Sequence, residues 1–123
     1  MMVEDVYILI IEDDQVIAAL MGETFKNEGY KVMVDMDGRA LLNGNFSGIN
    51  LLIIDNELPF YTGLEICKSL RTSATTMDLP IIMVSGSRNC RDKALKAGVN
   101  FFLEKPFNVK DLKKIVHDFC EQL

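Results

Sequence analysis

The sequence has no apolar run long enough to cross a bilayer. Its longest such stretches, residues 6–11 among them, fall far short of the ~20 residues a spanning helix needs. No basic segment leads into an apolar one near the start, so no secretory signal is read. There is no surplus of positive charge either. The net charge is −5, which disfavours non-specific nucleic-acid binding, because that rests on neutralising phosphates with Lys and Arg. Cysteines are few: Cys67, Cys90 and Cys120 are odd in number and lack C-x-x-C spacing. They read as free thiols in a reducing cytosol. Low-complexity tracts and internal linkers are absent, and 123 residues fit one domain, 1–123.

What is present is ordinary for a globular domain: 49% hydrophobic and 25% charged residues. The charge is unevenly spread. Residues 1–87 hold 5 Lys/Arg against 13 Asp/Glu, and residues 88–123 hold 8 against 5. The basic C-terminal third reads mainly as lysines solvating helix faces.

Apolar runs over 6–11, 30–34, 49–54, 79–84 and 99–103 read as strands. Between them the period changes to helical. The first helix starts at Gln15, with Ile17, Leu20/Met21, Thr24/Phe25 and Glu28 on one face and Gly29 as its stop. Residues 37–42 are a weak helix candidate, and 43–50 read as loop. Thr62-Gly63-Leu64-Glu65 has capping-box spacing for a third helix, with Leu64, Cys67 and Leu70/Arg71 as its buried edge. Residues 88–97 form a fourth, stopped by Gly98, and Asn108 caps a fifth, with Val109, Leu112, Ile115/Val116 and Phe119 on its apolar side. Strict strand–helix alternation implies a parallel sheet with right-handed crossovers. All strand C-termini then share one edge, where open α/β sheets hold ligands.

That edge collects chemistry from distant parts of the chain. Leu51–Ile54 runs straight into Asp55, with Pro59 four residues on and Gly63 four beyond that. Glu12, Asp13 and Asp14 follow the first strand, Ser85 and Gly86 the fourth, and Lys105 the fifth. Asp14 reads as a helix cap. Glu12, Asp13 and Asp55 crowded together would repel one another, and a hard divalent cation such as Mg²⁺ relieves that repulsion. Asp55 is the candidate nucleophile, since carboxylates form aspartyl-phosphates. Mg²⁺ and the Lys105 ammonium would neutralise the transferring oxygens, and the Ser85 hydroxyl with the backbone N–H of Asn56 or Gly86 would donate hydrogen bonds to them.

In these features the chain resembles the receiver domain of two-component response regulators, the CheY-like superfamily, over essentially its whole length. The matching elements are Glu12-Asp13, Asp55-x-x-x-Pro59-x-x-x-Gly63, Ser85-Gly86 and Lys105-Pro106-Phe107, each at a strand end. The resemblance implies a flavodoxin-like (βα)5 three-layer α/β sandwich with a five-stranded parallel sheet in order 2-1-3-4-5. It implies that Asp55 accepts phosphate from a phosphohistidine on a sensor histidine kinase or histidine phosphotransfer protein. Asp13 would bind Mg²⁺ directly, Glu12 through water, and the Glu57 carbonyl would complete the protein ligands. Lys105 and Ser85 would contact the phosphoryl group. Ser85 and Phe102, three before the lysine, would be the switch pair that remodels the helix 4, strand 5, helix 5 surface for a downstream partner or output domain. Activity would be limited to self-catalysed phosphotransfer and dephosphorylation in the cytoplasm, without direct nucleic-acid or membrane binding, in a receiver that either stands alone or belongs to a longer protein.

Four departures stand out. Ser85 replaces the commoner threonine, and Phe102 lacks a phenol hydroxyl. The Ser85–Lys105 spacing is about two residues short of the family norm, which implies a clipped loop or a shorter fourth helix. Glu57 lies two after the acceptor, where its carboxylate would either orient or repel attacking water. His117, the single histidine, reads as an exposed helix residue, and Phe101 as packing. Two other readings compete. A haloacid-dehalogenase-like phosphatase would use Asp55 as nucleophile but wants an aspartate where Glu57 stands, and a cap domain. A pseudo-receiver binding module would have lost the acid, Ser and Lys set that is intact here.

Overall fold

A computed structural model describes residues 2–42 and 48–123. The loop expected over 43–50 lies outside the described residues as far as 47. After a 3-10 turn at Val3–Asp5 come β1 (Tyr7–Ile11), α1 (Gln15–Asn27), β2 (Lys31–Asp35), α2 (Arg39–Leu42), β3 (Leu51–Asp55), α3 (Gly63–Leu70), β4 (Ile81–Ser85), α4 (Cys90–Lys96), β5 (Phe101–Glu104) and α5 (Val109–Cys120). All five expected strands form, with ends moved by one or two residues. The sheet runs β2-β1-β3-β4-β5, every pair parallel. This is the flavodoxin-like order expected.

Period-two alternation splits the apolar strands between two cores. Leu9, Ile11, Leu52, Ile54, Ile81, Met83 and Phe102 face one side, with α3, α4 and Leu41 of α2 packed on it. Ile8, Ile10, Leu51, Ile53, Ile82 and Val84 face the other, under α1 and α5. β1, β3 and β4 are buried on both faces, as central parallel strands covered by helices must be.

Two helix faces differ from the sequence reading. α1 buries Ala18, Met21, Gly22 and Phe25, while Leu20 is 49% exposed. Small Ala18 and Gly22 are thus part of the buried face; a Cβ at Gly22 would make ordinary contact, 3.4 Å from Val34 Cγ2. Leu20 turns instead toward a groove shared with Ile17, Pro106, Phe107 and Val109, while Ile17 also packs in part against the core as expected. α3 buries Ile66 beside Cys67 and Leu70, and Leu64 only in part. α4 has seven residues, Cys90–Lys96, and is shorter than the helix read over 88–97.

The helix stops are as expected: Gly29 and Gly98 follow α1 and α4 with φ of 99° and 98°, a conformation that favours glycine. Gly98 also meets a clamp. Arg71, at the end of α3, donates from Nε and Nη2 to the Gly98 carbonyl (3.0 and 2.7 Å), from Nη2 to Asn100 Oδ1 (3.0 Å) and from Nη1 to the Thr76 carbonyl (3.0 Å).

The β3–α3 connection is built with little spare room. Thr62 and Glu65 form the complete capping box. Asn56 brackets the start of α3, its carbonyl accepting from Gly63 N–H (2.9 Å) and its Oδ1 from Leu64 N–H (3.0 Å). A Cβ on Gly63 would stand 2.5 Å from the Asp55 carbonyl oxygen and 2.9 Å from Asn56 Cα. Both obstacles are backbone, so Gly63→Ala should destabilise the domain by about 2 kcal/mol or more in urea unfolding. Thr62→Ala, which removes only the cap, should cost about 1 kcal/mol. Equal costs for the two would show that the close approach is relieved cheaply.

Candidate functional site

The polar residues at the strand ends converge. Asp55 is the last residue of β3 and Ser85 the last of β4; Glu12 and Lys105 directly follow β1 and β5. Glu12, Asp55 and Ser85 are buried, and Asp13 is exposed at the rim. Asp14 caps α1, its Oδ1 accepting from the N–H groups of Val16 and Ile17, as expected.

Lys105 ties the cluster together. Its Nζ lies 2.8 Å from Glu12 Oε1 and 3.2 Å from Asp55 Oδ2. The lysine is aimed by the backbone, its N–H donating to the Ser85 carbonyl at 2.8 Å. The Lys105–Pro106 peptide bond is cis. The other Asp55 oxygen, Oδ1, accepts from Glu57 N–H at 3.2 Å. Oxygens of Glu12, Asp13 and Asp55 all lie within 4.8 Å of one another.

Three carboxylates therefore share one ammonium, and the charge does not balance. Burial, reinforced by the hydrogen bond and charge of Glu12, pushes Asp55 up to about 7 from an ordinary 3.8; Glu57 N–H and Lys105 offset only part of this. Asp13 is raised by the same causes in the same order, burial and then Glu12. Burial alone would lower Lys105, but the Glu12 and Asp55 carboxylates outweigh it and hold the amine above its usual range. The amine gains from Glu12 and Asp55, whereas Asp55 and Asp13 each feel Glu12 more than they feel the amine. A cluster of hard oxygens with surplus negative charge fits a divalent cation such as Mg²⁺.

Ser85 and Gly86 are arranged differently from the sequence reading. Ser85 Oγ donates to the Glu57 carboxylate (2.9 Å to Oε1, 3.1 Å to Oε2), and Gly86 N–H donates to Glu57 Oε1 at 3.1 Å. Of the expected phosphate-binding pair, Asn56 N–H is spent in the sheet, donating to the Val84 carbonyl at 3.2 Å. Its amide continues the β3–β4 ladder, and its side chain and carbonyl brace α3. Phe102 is buried at 4% exposure among the residues under α3 and α4, so the proposed switch aromatic is already inward. Phe101 is 39% exposed instead of packed. His117 is exposed, beside Glu121. The contact of the Glu57 carboxylate with Ser85 was not foreseen. The signal for it was β3–β4 adjacency, which puts a residue two past Asp55 opposite the end of β4.

A family model described as the response regulator receiver domain matches residues 8–117. The chain belongs to that family. This receiver domain is 34% identical over 108 residues to the response regulator ArlR of Staphylococcus saprophyticus, covering 85% of this chain and 48% of that protein. It is 35% identical over 107 residues to the transcriptional regulatory protein CpxR of Escherichia coli, covering 85% and 45%. The chain thus spans about half the length of these curated relatives. Among solved structures it is similar to the response regulator TrrA of Thermotoga maritima in complex with Mg²⁺-BeF, with TM-score 0.81 and 26% identity over 93% of this chain and 98% of that one. The phosphatase weighed from the sequence is a different family from the one matched.

The raised Asp55 has a signed consequence for stability. The folded receiver keeps that proton up to about pH 7, whereas the unfolded chain releases it near 3.8. The folded state therefore binds the extra proton within this window, and stability falls as pH rises through it. With chelator present, Asp55→Asn should show a flatter urea-midpoint profile from about pH 5 to about pH 8, and should exceed wild type by on the order of 1–2 kcal/mol at the upper end. Parallel profiles for the two proteins would show that Asp55 does not carry the shift.

Proposed function

We propose that this receiver domain, residues 1–123, is a phosphoacceptor that takes a phosphoryl group onto Asp55 from a phosphohistidine of a sensor histidine kinase or a histidine phosphotransfer protein. The observation that carries the reading is Lys105 Nζ bridging Glu12 and Asp55, residues 93 and 50 positions away, with Asp13 alongside. An Asp55 oxygen attacks phosphorus, an O–P bond forms, the P–N bond to imidazole breaks, and the electron pair leaves on the imidazole nitrogen. The chain supplies geometry and charge for this, not further covalent chemistry. Lys105 and the Glu57 N–H hold one Asp55 oxygen each, which fixes the carboxylate plane. Lys105 then follows the developing charge onto the phosphoryl oxygens, and Ser85 and Gly86 donate to them.

Mg²⁺ would be held by Asp13, Asp55 and the Glu57 carbonyl, with Glu12 through water, and supplies charge neutralisation when bound. The Mg²⁺ complex of the similar TrrA supports this assignment. The domain's own catalysis is confined to phosphotransfer and dephosphorylation at Asp55. Its output runs through Ser85 and Phe102 to the surface of α4, β5 and α5, where Leu95 and Phe101 are exposed, and is read there by a downstream protein or output domain. We place the domain in the cytoplasm, acting through protein contacts and without direct binding to nucleic acid or membrane. Three buried free thiols, the acidic net charge, and the absence among the described residues of a helix long and apolar enough to cross a membrane support this.

Incubation with Mg²⁺ and acetyl phosphate should add one base-labile phosphoryl group, read by intact mass. Asp55→Asn should abolish it, and Lys105→Ala should slow it by about tenfold or more. An Asp55→Asn protein labelled as well as wild type would put the acceptor elsewhere.

A further inference from the structure

Glu57 stands apart from the other acids of the cluster. Lys105 pairs with Glu12 and Asp55, whereas the Glu57 carboxylate reaches across to β4. There it accepts hydrogen bonds from the Ser85 hydroxyl, at 2.9 Å to Oε1 and 3.1 Å to Oε2, and from Gly86 N–H, at 3.1 Å to Oε1. Ser85 has no second proton to offer, and its Oγ already accepts from Ser87 N–H at 3.0 Å. Ser85 itself is fully buried, so water does not replace a lost partner cheaply. The Glu57 carboxylate thus uses up one hydroxyl and one backbone amide, both donors to negatively charged oxygen.

We infer that Glu57 is a built-in anion that occupies the phosphoryl-oxygen site formed by Ser85 and Gly86, so that a phosphoryl group on Asp55 gains those two donors only by displacing it. This rests on the phosphoacceptor reading of Asp55 and assigns a separate role to a residue two positions along. Glu57 is a positioning residue. It holds the end of β4 in an anion-bound arrangement before any phosphate arrives, and it sets the affinity the incoming group must exceed. Phe102, already buried under α4, fits a β4–β5 end that is held by an internal anion in place of an empty one.

The test uses the whole 123-residue domain and beryllofluoride with Mg²⁺ as probe, with binding followed by calorimetry and the Gly86 amide by NMR. Glu57→Ala should bind the probe about five- to tenfold more tightly than wild type. Removing a negative charge would do some of this at long range, so the gain is measured again in Ser85→Ala. Competition for Ser85 predicts that the Glu57→Ala gain shrinks by about half or more in that background, the non-additivity of groups in contact. Before probe is added, the Gly86 amide proton should move upfield in Glu57→Ala and stay near its wild-type position in Glu57→Gln, which keeps an acceptor oxygen. An unchanged affinity in Glu57→Ala, or a gain of the same size with and without Ser85, would overturn the inference while leaving Asp55 as acceptor. Failure of both the wild-type and the Glu57→Ala domain to bind the probe would instead overturn the phosphoacceptor reading, and this inference with it.

Discussion

One ammonium group among three carboxylates sets the terms for the rest of the molecule. Lys105 reaches Glu12 and Asp55 from the far side of the sheet, and a buried cluster of this kind is tolerable only if every partner is held in place. The parallel sheet does the holding. Its central strands are buried on both faces and need no polar residue until they end, so the first carboxylate or hydroxyl of each chain segment appears at the same edge. Surplus negative charge there is a cost to the folded domain and a source of affinity for a cation.

The holding extends one layer outward. Asn56 spends its amide on β4 and its carbonyl and side chain on the start of α3, and Gly63 lies so close to Asp55 that only hydrogen fits. Residues that add nothing to the chemistry therefore fix the position of the carboxylate that does. On the opposite flank, the Glu57 side chain links β3 to β4. Asp55 thus sits between a rigid bracket and an exchangeable contact.

Much of this was legible in the sequence because burial on both faces leaves a plain mark. Leu51–Ile54 running into Asp55, and Ile81–Val84 into Ser85, place those polar residues at strand ends without knowledge of the side chains around them. Capping chemistry is as local, and Asp14, Thr62–Glu65 and Asn108 were read correctly for that reason. The face of α1 was misread because the small residues Ala18 and Gly22 carry little hydrophobic signal yet are buried, while Leu20 carries a strong one and is exposed. The Glu57 contact and the role of the Asn56 amide depend on how two strands are offset, which no spacing within one strand records. The cis form of Lys105–Pro106 was not legible either, since trans is the rule for most X–Pro bonds.

The Arg71 clamp has a mechanical meaning for α4. The C-terminal end of that helix runs into Gly98, whose carbonyl is gripped by two guanidinium nitrogens from α3. At the other end Asn89 makes no side-chain cap bond, and the chain leads back through Ser87 and Gly86 to Ser85. With the C-terminal end fixed by side-chain hydrogen bonds from Arg71, any change at Ser85 reaches α4 first at its N-terminal end, through Ser87, whose carbonyl accepts from Cys90 N–H.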